Sequence, residues 1–181
     1  EVMLVLDGAY AEYVPDFDAG RALVDRFGNV VMTRTFSKIY GLGGLRVGWA
    51  YAQPAVIDVL HRIRGPFNVS SVGLAAAEAA VRDTSYTANC ARHNSHWRGY
   101  LIEGLRKIGL PTDDSHANFV LPRFKTAGQA AAADAHLREN GIVVRNVAGY
   151  GLPECLRITV GDEIACRRVV ALLREFLEAQ G

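Results

Sequence analysis

The chain has 181 residues, 50% hydrophobic and 22% charged, an ordinary balance for a globular protein with room for a sizeable core. Its formal net charge of +1 offers no broad field to nucleic acid or an anionic membrane, and no apolar run nears the roughly 20 residues that span a bilayer. Cys90, Cys155 and Cys166 are too few and too scattered for a disulfide framework, which points to a reducing cytoplasm.

Residues 2–6 form a continuous apolar run ending in Asp7, the pattern of a strand buried on both faces. A chain that opens on Glu1 and enters such a strand at once reads as a fragment whose upstream half is missing. Ala19, Ala22, Leu23 and Phe27 then recur at helical spacing, with Gly28-Asn29 as a stop. Residues 30–36 are a second β-rich run. The resulting strand–helix–strand unit predicts parallel pairing. Ligands of open parallel sheets sit beyond the carboxyl ends of strands, where Asp7 and Ser37-Lys38 fall.

A third strand is predicted over 47–52, and Pro54 opens a helix that runs to about Arg64. Residues 70–82 are alanine-rich and helical. A long helix follows from about Tyr86 to Ile108, with Gly109 as its cap. Beyond it lie a strand at 118–121, a helix at 127–140 stopped by Gly141, strands at 142–145 and 156–160, and an amphipathic closing helix at 162–179. The division this suggests is residues 1–84, part of a larger α/β domain, and 85–181, a small α/β layer domain.

The segment richest in chemistry is Thr35-Phe36-Ser37-Lys38, followed by Gly41-Leu42-Gly43-Gly44-Leu45-Arg46. It places a lysine at the end of an apolar run, then a glycine turn, then an arginine eight residues on. Such a segment can hold a phosphate-bearing aldehyde and bond it covalently, provided the lysine amine is neutral when it attacks. Arginine suits phosphate because its planar fork bonds two oxygens at once. The bland alternatives are a surface lysine and an ordinary turn. The glycines match neither a Walker loop nor a dinucleotide fingerprint, whose third glycine would fall at Arg46. Asp7 could equally be a turn cap. Arg157 stands inside an apolar strand, where a buried cation needs an anionic partner, whether a structural carboxylate or a ligand. Cys90, His93 and His96 at helical spacing lack a fourth partner, so a solvated helix face is the simpler account than a metal site.

The run TFSKIYGLGGLRVG resembles the lysine segment of pyridoxal-phosphate (PLP) aminotransferases of fold type I, and within them the histidinol-phosphate type. The similarity extends through Gly65-Pro66-Phe67-Asn68-Val69-Ser70, Ala117-Asn118-Phe119-Val120-Leu121, and the two arginines of GIVVR and YGLPECLRITVG. It therefore covers essentially the whole chain, as the C-terminal half of such an enzyme.

The resemblance implies that Lys38 is the catalytic lysine, with the PLP phosphate held by Ser37 and Arg46, the ring nitrogen by Asp7 and the ring hydroxyl by Tyr10. Arg157 would grip the substrate's α-carboxylate, and Arg145 the phosphate of histidinol phosphate or the distal carboxylate of glutamate. The implied reaction is amino transfer from L-histidinol phosphate to 2-oxoglutarate in histidine biosynthesis, by a cytoplasmic homodimer that uses neither metal, membrane nor nucleic acid. Family members commonly have a glutamate where this chain has Gly8, a departure that bears on the subgroup more than on the chemistry. An aromatic aminotransferase, a phosphothreonine-type decarboxylase and a non-catalytic module of the same fold are the alternatives. The upstream half would carry the rest of the phosphate cradle, so the chain alone is expected to bind PLP weakly and not to turn over.

Overall fold

The computed structural model describes residues 2–180. These fall into two compact units, one ending at Ala91 and one beginning at Arg92.

In the first unit, β1 (Leu4–Asp7), β2 (Val30–Thr35) and β3 (Gly48–Ala52) form a sheet in that order. β1 and β2 are parallel, with Leu4 opposite Val30 and Asp7 opposite Thr33, and α1 (Arg21–Arg26) makes the connection. The strand–helix–strand unit anticipated from hydrophobic pattern is therefore present. β3 returns antiparallel to β2, with Arg34 opposite Trp49. The helices α2 (Pro54–Ile63) and α3 (Ser71–Arg82) follow, the latter capped by the Ser70 hydroxyl, which accepts from the Gly73 amide at 3.0 Å.

β1 is not buried on both faces, contrary to the expectation from its apolar run. Among the described residues it lies at the sheet's edge, paired with β2 alone. Strand alternation turns Leu6 into a small cluster with Ala11, Ala19, Val24, Val30 and Met32, while Val5 remains 60% exposed. α2 likewise carries Val56, Ile57, Val59, Leu60 and Ile63 yet has no buried residue.

The second unit contains most of α4 (Thr84–Lys107), then β4 (Phe119–Val120), α5 (Ala127–Glu139), β5 (Arg145–Asn146), β6 (Leu156–Thr159) and α6 (Glu163–Glu178). Its sheet runs β4-β6-β5, antiparallel throughout. One continuous core joins α4, α5, α6 and the sheet through Leu101, Leu105, Leu137, Leu156, Ile158 and Leu173.

The strand expected at 142–145 is displaced to Arg145–Asn146. The cause is the end of α5, where the Gly141 amide donates to Arg138 and the Ile142 amide to Leu137. This is the Schellman closure, made possible by Gly141 at φ +75°. It consumes the Ile142 donor that a strand would need. α4 ends the same way, with Gly109 at φ +83° and the Leu110 amide donating to Leu105.

Candidate active site

In the first unit, parallel pairing brings the carboxyl ends of β1 and β2 side by side, and the candidate residues leave from those ends. The Gly8 amide donates to the Thr33 carbonyl at 2.8 Å. A Cβ on Gly8 would stand 2.9 Å from that same oxygen and 3.0 Å from Arg34 Cδ, so only glycine lets the β1 exit lie against β2. Asp7 is exposed and accepts the Ala9 amide at 3.0 Å through Oδ1. Its Oδ2 takes no hydrogen bond among the described residues and is open to a donor. Tyr10 then caps a short 3-10 turn, Ala11–Tyr13.

At the end of β2, the Ser37 amide donates to Thr35 Oγ1 at 3.0 Å, the Leu42 amide to the Phe36 carbonyl at 3.0 Å and the Gly41 amide to the Lys38 carbonyl at 2.9 Å. These bonds fold the segment tightly around Lys38. Lys38 Nζ stands 5.2 Å from the centre of the Tyr10 ring, so two residues 28 positions apart meet at the sheet's end.

Arg46 has φ +56°, a left-handed conformation that is strained for a side chain with a Cβ. Its guanidinium lies back against its own loop. Nη1 donates to the Gly43 carbonyl at 2.7 Å and to Ser37 Oγ at 3.4 Å. Hydroxyl and guanidinium thus sit together, the donor set a phosphate monoester requires. Nearby, burial pushes the Tyr13 phenol up to about 12, with the Cys90 and Glu12 charges adding to it.

In the second unit, Arg145 and Arg157 face each other directly across β5 and β6. Like charges directly opposed on one sheet face repel. Neither arginine has an acidic partner within ion-pair distance among the described residues. Arg157 instead lies over the Phe119 ring at 4.8 Å, and its buried Nε has no hydrogen-bond partner. Arg145 donates to Tyr150 Oη at 2.8 Å and lies 5.5 Å from that ring's centre. The structure therefore joins the two arginines of the sequence reading into one cationic pair.

Phe119 and Tyr150 carried no role in that reading. The signal that finds them is strand register, which sequence alone does not fix. A cavity of about 510 Å³ in this unit, lined by Ile108–Pro111 and Arg123–Lys125, takes in neither arginine. His93 Nε2 lies 2.9 Å from the Gly161 carbonyl, and His96 packs edge-on against Trp97. Among the described residues no three metal-capable side chains gather, and no helix is long and apolar enough to cross a membrane.

Residues 1–173 match the family Aminotransferase class I and II. A histidinol-phosphate aminotransferase of Cereibacter sphaeroides is 61% identical over 176 residues, which is 97% of this chain and 49% of that protein. The crystal structure of histidinol-phosphate aminotransferase from Sinorhizobium meliloti in complex with pyridoxal-5'-phosphate superposes at TM-score 0.88 with 32% identity, covering 99% of this chain and 50% of that one. L-threonine-O-3-phosphate decarboxylase from Porphyromonas gingivalis gives TM-score 0.85 and 26% identity over 96% of this chain and 55% of its own. The chain spans about half the length of the curated relatives it matches. By a family match over nearly its whole length, and with the α/β fold of the type I aminotransferases, the chain belongs to the aminotransferase class I and II family.

Proposed function

We propose that a protein of the relatives' length containing this chain catalyses PLP-dependent transamination between L-histidinol phosphate and 2-oxoglutarate, in histidine biosynthesis. The observation that carries the chemistry is Lys38 Nζ against the Tyr10 ring, beside the joined Ser37 and Arg46. The 61% identity to a protein of that name supports the choice of substrate.

PLP, when bound, supplies the electron sink that makes a substrate Cα–H acidic. The residues fit it. Lys38 Nζ would anchor the cofactor covalently and, when free, would be the base and acid that moves the substrate Cα proton. Ser37 Oγ and the Arg46 guanidinium hold the phosphate. The free Oδ2 of Asp7 would accept the ring N–H, and the Tyr10 hydroxyl would bond the ring oxygen. Arg157 and Arg145 would receive the anionic groups of both substrates, and their unneutralised pairing supports that role. Residues 1–84 would form part of the large cofactor-binding domain and 85–181 the small domain. The exposed apolar side of α2 supports a homodimer in the full-length protein, placed in the cytoplasm with its amino-acid substrates.

The test is an absorbance spectrum with PLP before and after borohydride, on the chain alone and on the chain joined to the upstream half of a relative. A band at about 400–430 nm, fixed by borohydride onto Lys38, is expected in the joined protein. No band in either protein overturns the proposal. The chain alone should show no turnover approaching roughly 1 per second. A substrate panel then decides the subgroup, since carbon dioxide release without an oxo-acid acceptor would favour the decarboxylase reading that the Porphyromonas gingivalis likeness supports.

A further inference from the structure

Two arginines paired directly across neighbouring strands put like charges on one sheet face, and the ordinary remedy is a carboxylate between them. This chain does not use it. Phe119 lies opposite Thr159 across β4 and β6, so Arg157, two residues back on the same face, is its diagonal neighbour and within reach of an aromatic ring. β4 itself is pinned upstream. Asn94, 4% exposed, donates through Nδ2 to the Ala117 carbonyl at 3.2 Å, and Arg98 Nη1 donates to the same oxygen at 3.1 Å. The β5 end repeats the arrangement with Tyr150 against Arg145.

We propose that Phe119 and Tyr150 are positioning residues that hold Arg157 and Arg145 side by side for an anionic ligand. The inference rests on the proposed anion-binding role of the two arginines. An aromatic face attracts a guanidinium through its quadrupole and orients it flat, but it carries no net charge. A carboxylate in the same place would neutralise the cation and compete with the ligand. The aromatic rests keep both charges available, and the repulsion between the arginines is relieved only when an anion bridges them. The ligand class this selects is a carboxylate or phosphate that can engage two arginines at once.

The probes are succinate and inorganic phosphate, titrated against the whole chain while the Nε–H resonance of Arg157 is followed by NMR. In the unsubstituted chain that resonance moves on titration. Phe119→Leu keeps an apolar side chain but removes the ring face, and is expected to weaken succinate binding about tenfold. Phe119→Trp should bind within about threefold of the original, because the ring face is restored. Equal succinate affinity in Phe119→Leu and the unsubstituted chain overturns the inference. Should Phe119→Leu lose its fold, Tyr150→Leu on the exposed turn applies the same test at Arg145, with phosphate affinity expected to fall about fivefold and no change overturning the inference.

Arg157→Ala separates the inference from the reading beneath it. If that variant binds succinate as well as the original, Arg157 is no anion site and both fail. If it weakens binding while the aromatic variants do not, the positioning role alone fails.

Discussion

The two units use apolar residues differently. In the second, Leu101, Leu105, Leu137, Leu156, Ile158 and Leu173 are sealed in one core beneath three helices and a sheet. In the first, most buried hydrophobic residues fall into two small clusters, and apolar side chains such as Val5, Leu60, Ile63, Val72 and Leu74 stand exposed on β1, α2 and α3. Of the large hydrophobic side chains exposed among the described residues, all but Val143, Tyr150 and Ile164 belong to the first unit. Yet the first unit holds the lysine, the aspartate and the phosphate-type donors. The second unit is organised around its interior, and the first around the ends of its strands.

The sharpest division to test is chemical. Lys38→Ala should abolish borohydride-fixed PLP at the site in the joined protein, read by mass spectrometry, because Lys38 is the amine proposed to bond it. Arg157→Ala should leave that labelling within about twofold, since the role proposed for its guanidinium is to hold the substrate anion and not the cofactor bond. Loss of labelling in both variants would break the division of labour between the units.

The next contrast is energetic. Leu173 is fully buried, and Leu173→Ala should destabilise the second unit by about 2–5 kcal/mol, through lost burial and the cavity left behind. Leu60, exposed on α2, should change stability by no more than about 0.5 kcal/mol when replaced by alanine. Urea unfolding with a probe in each unit reads both values. A comparable loss at Leu60 would show that the α2 face is covered in solution.

Much of this was legible in the sequence, and the exceptions share a physical cause. The helices expected from 54, 70 and 127 begin at Pro54, Ser71 and Ala127, because Pro54 and the hydroxyl caps of Ser70 and Thr126 act locally on the first turn. The Lys38 segment was legible for the same reason, since its lysine, glycines and arginine lie within nine residues. Burial of β1 was not legible. Val2-Met3-Leu4-Val5-Leu6 encodes apolarity, but cover is supplied by other elements, and only Leu6 receives it in the first unit. The strand start at 145 was missed because Gly141 signals a stop without stating that the closing bonds consume the next amide. The pairing of Arg145 with Arg157, and the aromatic beneath each, depends on register across three short strands.

Helix caps give a smaller, symmetric test. Asp162 accepts the Ala165 amide at 2.8 Å at the start of α6, and Ser70 accepts the Gly73 amide at 3.0 Å at the start of α3. Alanine at either position should lower stability by about 1 kcal/mol. If the loss at Ser70 exceeds the loss at Asp162 by several-fold, α3 depends on its cap more than its own packing implies, and the loosely covered first unit is the more fragile one.

The last effect appears only at alkaline pH, and it too separates the units. Burial raises the Tyr13 phenol from 10.0 to about 12 in the folded first unit. Below pH 10 both folded and unfolded chains keep the proton, and its contribution to stability is fully present. Between pH 10 and about 12 the unfolded phenol ionises while the folded one resists, so the unfolded state binds fewer protons and stability falls. In the second unit the buried Cys166 thiol is likewise raised above its ordinary 9.0, with burial as the main cause. Its loss of stability therefore begins near pH 9, about one unit earlier. Tyr13→Phe should flatten the first unit's decline above pH 10 and leave the second unit's unchanged, and Cys166→Ala should do the reverse. Thermal melts from pH 8 to 11 with a probe in each unit read the difference. A single shared decline, untouched by either substitution, would show that the two units unfold as one.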